Sequence, residues 1–183
     1  MDIINVVSRY IYGFSIVEFA VFILLSTWVY LKAKEYISNK STKFWNIINI
    51  VLIMAYTIVV LYKVLLSRKV GSVTANLDLI PLSSYVEYFM GKNSEAFFTN
   101  RANVLLFFPF GLFFFDFLKT KKHVIICVSI ALIFSFFLEL IQYIFSLGIA
   151  EADDVIHNTL GAFLGYLASA YVPRIQITIK NKT

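Results

Sequence analysis

Charged residues and cysteines are scarce in this chain of 183 residues. Charged residues make up 15% of the sequence and hydrophobic residues 60%, whereas about a quarter of an average soluble domain is charged. A soluble fold of this length would expose too much apolar surface, so we expect lipid to be the solvent. The single cysteine, Cys127, lies in an apolar run, which excludes an intrachain disulfide and gives no indication of redox chemistry.

The net charge of +5 is divided among short basic clusters between apolar runs. This arrangement is typical of membrane helices rather than of a nucleic-acid-binding surface, so no nucleic-acid partner is expected. Arg9 is the only basic residue before the first apolar run. That run contains Glu18, and no clear small-residue cleavage site follows it. We therefore expect no removable signal peptide. Because no repeat or interdomain linker is visible, residues 1–183 are predicted to form a single membrane domain.

Five apolar segments predict transmembrane helices, and they comprise residues 10–31, 44–66, 102–118, 124–147 and 155–172. The third is short and contains Pro109 and Gly111, which interrupt helical hydrogen bonding, so a kinked or partly helical span is expected. The polar link 67–101 is rich in aromatic residues, which predicts an outer interfacial segment with a helix. The sequence thus predicts an all-α polytopic membrane protein with about five transmembrane helices.

Lysine and arginine in short loops predict the orientation of the spans. They cluster between the first two spans, between the third and fourth spans, and in the tail: Lys32, Lys34, Lys40, Lys43, Lys119, Lys121, Lys122, Arg174, Lys180 and Lys182. These regions are expected in the cytoplasm together with the C-terminus. The N-terminus and the links 67–101 and 148–154 are then expected outside.

Polar residues within the spans are candidates for function because they are costly in lipid. Glu139 shares a helical face with Gln142 and Tyr143 near the outer end of the fourth span. Across the next link, helical spacing gives the fifth span two adjacent polar stripes, one of Asp154, Asn158, Gly161 and Gly165 and one of Asp153 and His157. We expect the stripes of the two spans to meet near the outer face.

Structural roles compete with functional ones at these positions. Asp153 or Asp154 can act as a helix N-cap, and Glu139 with Gln142 can form hydrogen bonds between helices, as can Asn46 and Asn49 in the second span. Gly161 and Gly165 suit close helix packing. His157 suits either an ordinary hydrogen bond or, with the carboxylates, a divalent cation. Snorkelling or pairing can satisfy Glu18 and Asp116, the latter beside Lys119.

Four sequence blocks resemble the VanZ-like family over residues 76–166. They are NLDLIP at 76–81, NVLLFFPFG at 103–111, ELIQ at 139–142 and EADDVIHNTLGAFLGY at 151–166. The resemblance implies a bacterial cytoplasmic membrane protein, with some members lowering susceptibility to teicoplanin and related lipid-bearing glycopeptides. It implies no defined reaction, so whether the protein is an enzyme stays open.

The family motif carries over onto named positions in this chain. The predicted functional pocket comprises Asn103, Glu139, Gln142, Asp153, Asp154 and Asn158, and the predicted packing positions are Pro109, Gly111, Gly161 and Gly165. No metal or cofactor is predicted. Two departures stand out: Gly148, Ile149 and Ala150 occupy the place where many members have an arginine, and Glu151 replaces aspartate. If that arginine binds an anionic ligand, Arg101 would have to replace it or the ligand differs.

The leading hypothesis is an envelope protein whose outward polar pocket lowers susceptibility to teicoplanin-type lipoglycopeptides. Its expected partners are membrane lipid and either a lipoglycopeptide or a lipid-linked wall precursor, with oligomerisation left open. The alternative is a membrane-embedded enzyme that uses paired carboxylates on a lipid-linked wall or phospholipid headgroup. A third hypothesis is a small carrier or scaffold that uses the interrupted third span.

Overall fold

The computed structural model describes residues 16–66, 71, 76–92, 95–118 and 123–180. The helices are α1 (Ile16–Lys40), α2 (Thr42–Leu61), α3 (Ser83–Phe89), α4 (Glu95–Leu118), α5 (Val124–Ile144) and α6 (Ala152–Lys180). A π-helical turn, Tyr62–Leu66, extends α2, and two short strands are β1 (Asn76–Asp78) and β2 (Ile149–Glu151). The predictions about the signal peptide and about residues 119–122 lie outside the described residues, and the side chain of Glu18 is likewise not described.

Two of these helices, α2 and α5, are long and apolar enough to cross a membrane. Only 17% of the most apolar stretch of α2 and 28% of that of α5 is buried. The core helix of a soluble protein would be mostly buried, because water drives its apolar face inward. The mostly helical fold is as predicted, whereas the total of about five spans stays a prediction.

The helix that contains Pro109 differs from the expected short third span. It begins at Glu95, seven positions before the predicted start, and continues through Pro109 to Leu118. Proline removes a backbone donor and leaves the carbonyl of Leu105, four positions before it, without its usual partner, and contacts from neighbouring helices can stabilise a helix at such a point. The Tyr56 hydroxyl of α2 donates to the Leu106 carbonyl at 3.0 Å, on the turn before the proline. Helix α4 is therefore continuous through Pro109 and does not supply the broken segment that the carrier hypothesis requires.

Helices α4 and α6 form the most extensive contact in the fold and approach backbone to backbone. A Cβ atom at Gly161 would lie 2.2 Å from the Val104 carbonyl oxygen, and one at Gly165 would lie 1.9 Å from that of Phe108. From the opposite helix, a Cβ atom at Gly111 would lie 1.9 Å from the Ala162 carbonyl oxygen. All three positions exclude a side chain, so glycine is what permits this contact.

The strands β1 and β2 form a parallel pair that the sequence did not predict. Asn76 pairs with Ile149, and Asp78 pairs with Glu151. The pair joins the long link after α2 to the short link between α5 and α6. It therefore brings the first motif block against the last, at one end of the helices.

The opposite end contains a buried polar cluster around Asp116. This carboxylate is 6% exposed and accepts hydrogen bonds from the Tyr30 hydroxyl at 2.7 Å and from the Trp45 indole at 3.1 Å. Its other oxygen contacts the Lys34 ammonium group. The sequence predicted that snorkelling or pairing beside Lys119 could satisfy Asp116, and Lys119 lies outside the described residues; among the described residues Asp116 pairs with Lys34. The sequence spacing could not reveal this partner because α1 and α4 are brought together only by the fold.

Asn49 of α2 joins the same cluster. Its side-chain oxygen Oδ1 accepts a hydrogen bond from the Tyr30 hydroxyl at 3.0 Å, and its side-chain Nδ2 donates to the backbone carbonyl of Phe113 at 2.9 Å. The prediction that Asn49 hydrogen-bonds between helices is confirmed.

Candidate functional site

The candidate site lies where α5 ends, α6 begins and the two strands pair. Glu139 is on the last turns of α5 and is 6% exposed. Its Oε2 atom accepts a hydrogen bond from the backbone N–H of Glu151 at 3.2 Å. The carboxylate thus fixes the position of β2 and is held at the boundary between the helices and the link.

An open groove of about 440 Å³ lies beside Glu139. Its walls are mainly apolar and come from α5, α6 and both strands: Leu77, Leu79, Phe136, Glu139, Leu140, Tyr143, Ala150, Glu151, Ala152, Val155 and Ile156. The volume falls in the range of roughly 300–1,000 Å³ that is usual for small-molecule sites. An apolar chain suits these walls, because their exposed surface is almost entirely apolar and the carboxyl groups of the two glutamates contribute very little to it.

Glu151 is partly buried in the wall of this groove. Burial raises the pKa of its carboxyl group from an ordinary 4.5 to about 7, and four neighbouring carboxylates add to the rise: Asp154, Asp78, Asp153 and Glu87. These carboxylates come from α6, β1 and α3, which the strand pairing gathers around the link. Glu151 can therefore change charge near neutral pH.

Asp154 connects α6 to α4. Its Oδ1 atom accepts from the side-chain amide of Asn103 at 2.6 Å, so two residues of the predicted pocket do meet. Asp154 also raises the pKa of Glu151 more than any other neighbouring charge. Arg101, the candidate substitute for the missing arginine, is half-buried on the same turn of α4 as Asn103.

Asp153 is 1% exposed, is the second residue of α6 and connects this helix to α3. Its carboxylate accepts from the backbone N–H groups of Leu82 and Ser84 and from the Ser84 hydroxyl. Leu82 precedes α3 in a left-handed conformation with φ 62°, and it provides no side-chain cap. Such a conformation is uncommon for leucine and persists when its surroundings hold it. Asp153 therefore supplies the missing cap of α3.

His157 lies one turn after Asp153 and binds α3 through Tyr85. Its Nδ1 atom is 2.6 Å from the Asp153 carbonyl oxygen, which can only accept, so Nδ1 carries a proton. In the neutral ring, Nε2 then accepts from the Tyr85 hydroxyl at 2.7 Å. Burial, followed by the charge of Asp153, raises the pKa of Tyr85. Both ring nitrogens are thus engaged in hydrogen bonds within the protein.

Gln142 and Asn158 lie inside the helix bundle. The Gln142 amide donates to the Val64 carbonyl at 3.4 Å, and the Asn158 amide donates to the Ser135 hydroxyl at 2.9 Å. Among the described residues, the Asn158 Oδ1 atom is buried without a hydrogen-bond partner. These contacts join α5 to the turn after α2 and to α6.

Of the six residues of the predicted pocket, Glu139 alone is among those that line the groove. The other five hold the surrounding helices in place, and the functional role of the set stays a prediction. The cation set of Glu139, Asp153, Asp154 and His157 is not assembled, because the described residues contain no group of three or more such side chains that could hold a metal ion.

Sequence reasoning did not identify Glu151 as a groove residue, nor Ser84, Tyr85 and Asn100 as partners of the acidic motif. The Asn100 amide donates to the Ser84 hydroxyl at 2.6 Å, which continues the network from α6 through α3 to α4. The NLDLIP block was the available signal, because it directly precedes α3.

The structure is mostly helical, and two of the described helices are long and apolar enough to cross a membrane, which is typical of helical membrane proteins. The profile of the VanZ/LLP1 family matches residues 44–172, and the chain belongs to this family. The protein VanZ of Enterococcus faecium is 40% identical over 63 residues, which are 34% of this chain and 38% of that protein. The chain thus matches little more than a third of that relative's length. No solved structure shows significant similarity to the chain.

Proposed function

We propose that the protein is a multi-span protein of the bacterial cytoplasmic membrane that lowers susceptibility to teicoplanin-type lipoglycopeptides. In this proposal the chain crosses the bilayer about five times, with the groove beside Glu139 at the outer face. The groove binds the lipid-bearing part of an antibiotic or of a wall precursor. Membership of the VanZ/LLP1 family supports the general function.

The observation that carries the proposal is the apolar groove at the link between α5 and α6, whose lining residues include Glu139 and Glu151. A lipoglycopeptide has a hydrophobic chain, and an apolar groove of this kind suits such a chain. Exposed apolar residues continue from the groove onto the segment before α3, with Leu79 68% and Ile80 69% exposed. Such residues suit the headgroup zone, where an antibiotic or precursor with one lipid chain is found.

The test is antibiotic susceptibility in a sensitive Gram-positive host that lacks the protein. The host would express wild type, Leu79→Trp, Glu139→Gln or Glu35→Gln at matched membrane levels. Glu35 is an exposed residue at the opposite end of the helices, in an ion pair with Lys32, and serves as the control. We expect wild type and Glu35→Gln to protect against a lipoglycopeptide but not against a glycopeptide without an acyl chain.

Leu79→Trp fills the groove without changing charge, and Glu139→Gln removes a carboxylate, so both should lose protection. Full protection by both variants would remove the groove from the proposal. A reporter fused after Ile149 should report the outer face, and a cytoplasmic location would contradict the orientation.

The second candidate is a membrane-embedded enzyme that acts on a lipid-linked headgroup. It is favoured by the contact between Glu139 and Glu151, because Glu151 has a pKa of about 7 and could act as a general acid or base. Altered wall-polymer or lipid chemistry in a deletion strain, restored by wild type and not by Glu139→Gln, would support the enzyme. Unchanged chemistry would count against it.

A further inference from the structure

A second open groove lies between α5 and α6, further along the same pair of helices. Its volume is about 400 Å³, and its exposed surface is almost entirely apolar. Every described residue that lines it is uncharged, and these residues include Val124, Val128 and Ser129 of α5 and Thr159, Leu160 and Phe163 of α6. We call it the inner groove, and the groove beside Glu139 the outer groove.

The two grooves open on the same face of both helices. On α5, Ser129 of the inner groove is followed by Phe136 and Leu140 of the outer groove at intervals of seven and four positions, which places all three on one helical face. On α6, Leu160 of the inner groove lies one turn after Ile156 of the outer groove. The walls of the two grooves therefore adjoin on α6 and form one seam between the helices.

This seam is longer than a single membrane leaflet. Its lining residues on α5 extend from Val124 to Tyr143, which at about 1.5 Å per residue is a distance of about 28 Å. The hydrocarbon core of a bilayer is about 30 Å thick, so one leaflet, and the acyl chain of an ordinary lipid within it, covers about 15 Å. A chain that fills both grooves must be about twice as long as an ordinary acyl chain.

A flexible chain suits the seam better than a helix of a second protein does. Close helix packing in lipid uses small residues, and Gly161 and Gly165 of α6 already face α4. The walls of the seam are bulky instead, with Phe136 on α5 and Phe163 on α6. Because the exposed surface of both grooves is almost entirely apolar, the part of a ligand that lies in the seam should be an uncharged hydrocarbon.

We infer that the seam between α5 and α6 binds one polyisoprenoid chain, which passes from the outer groove into the inner groove and leaves its polar headgroup outside, at the link between the two helices. Polyisoprenoids are the class of membrane lipid whose chains exceed the length of one leaflet. The inference rests on the proposed function, because it takes α5 and α6 to cross the bilayer and selects the lipid-linked wall precursor from the two ligands proposed for the outer groove.

The experiment offers the full chain, in maltoside micelles, equal amounts of farnesyl phosphate and heptaprenyl phosphate. These probes share a headgroup and a repeating unit and differ in chain length. Native mass spectrometry measures how much of each is bound. We expect one heptaprenyl phosphate per protein and a preference of about tenfold over farnesyl phosphate, because a chain held in the outer groove enters the inner groove without a second association step.

Tryptophan substitutions fill one groove at a time. Ser129→Trp and Leu160→Trp, both at exposed positions of the inner groove, should abolish the preference for heptaprenyl phosphate and leave the binding of farnesyl phosphate unchanged. Leu79→Trp in the outer groove should weaken the binding of both probes. Ile58→Trp, at an exposed position of α2, is the matched control and should bind both probes as wild type does. Gel filtration and thermal unfolding show whether each variant is folded.

Equal binding of the two probes by wild type would overturn the inference, as would a preference that both inner-groove variants retain. Two farnesyl phosphates on one protein, one of them lost in Ser129→Trp, would also overturn it, because each groove would then hold its own lipid. Failure of the proposed function gives a different result. A protein that protects cells without a preference for chain length contradicts this inference alone. A protein that prefers the longer chain but gives no protection contradicts the resistance function.

Discussion

Asp153 at the start of α6 accepts hydrogen bonds from both the backbone N–H, at 3.1 Å, and the hydroxyl of Ser84 in the first turn of α3. A carboxylate at the N-terminus of a helix satisfies free backbone donors and complements the positive end of the helix dipole. Here the carboxylate comes from another helix, 69 positions along the chain. The acidic motif therefore holds the start of α3, the helix that follows the NLDLIP block.

Asp153→Ala should release α3 from the helix bundle. The change leaves the N–H groups of Leu82 and Ser84 and the Ser84 hydroxyl without their acceptor, and hydrogen bonds to a charged group contribute about 1.5–3 kcal/mol each. We expect the free energy of unfolding to fall by about 2 kcal/mol or more. Hydrogen exchange of the backbone amides in Ser83–Phe89 should accelerate more than exchange in α5.

Asp153→Asn is the informative companion, because one amide oxygen can still accept from α3. The free energy of unfolding of Asp153→Asn, and its rate of hydrogen exchange in α3, should lie between those of wild type and Asp153→Ala. Unchanged exchange in α3 for Asp153→Ala would show that this helix is held by other contacts.

The sequence predicts the helices of this protein far better than their contacts. Long apolar runs with charged ends locate α2, α5 and α6, because the length of an apolar run alone is a strong signal in a membrane-type chain. The three-residue strands β1 and β2 carry no comparable periodicity, and their pairing joins segments more than 70 positions apart. Local pattern cannot reveal such a partnership.

For the candidate site too, the residues could be predicted from the sequence but their contacts could not. Glu139, Asp153 and Asp154 are recognisable as costly polar residues and as parts of a family motif, but which of them faces a groove depends on helix rotation. Asp153 and Asp154 are adjacent in sequence and turn toward different helices, one to Ser84 of α3 and the other to Asn103 of α4. The partner of Asp116 was missed for the same reason, since Lys34 reaches it from α1.

Breaking the pair of Lys34 and Asp116 should be more costly than removing both charges. Asp116→Ala leaves Lys34 and the Trp45 indole without this acceptor and removes one of the two acceptors of the Tyr30 hydroxyl, and loss of one partner of a buried ion pair costs about 3–5 kcal/mol. Lys34 is partly exposed, so we expect the lower end of this range. Lys34→Met combined with Asp116→Leu should recover part of the loss in thermal unfolding. Additive effects of the two single changes would contradict the coupling.

Alanine at Gly161 or Gly165 should separate α4 from α6. The added Cβ atom would lie 2.2 Å from a backbone carbonyl oxygen at Gly161 and 1.9 Å at Gly165. Such an oxygen cannot rotate away, and overpacking costs about 1–3 kcal/mol and occasionally more, so we expect the upper end of this range. Both variants should unfold at lower temperature in detergent than wild type. Leu164→Ala, at a partly exposed position of the same helix, is the matched control and should have a small effect. Wild-type melting of Gly165→Ala would show that the two helices can move apart freely.

Glu151 should make the protein less stable as the pH rises toward 8. Its pKa is about 7 in the folded protein and 4.5 as an ordinary glutamate, so between these values the folded state binds more protons than the unfolded state. The contribution of Glu151 to stability is then fully present below about pH 4.5 and is lost as the pH rises through 7. Burial and the carboxylate of Asp154 are the leading causes, because both oppose a new negative charge in the groove wall.

Thermal unfolding of wild type and Glu151→Gln between about pH 5 and pH 8 measures this contribution, because glutamine cannot ionise and every other titrating group is shared. The melting temperature of wild type should fall relative to that of the variant as the pH rises. Asp154→Asn should lessen the fall, because among the neighbouring negative charges that of Asp154 raises the pKa of Glu151 most. Parallel curves for wild type and Glu151→Gln would mean that Glu151 ionises as readily in the groove wall as in water, and its raised pKa would be refuted.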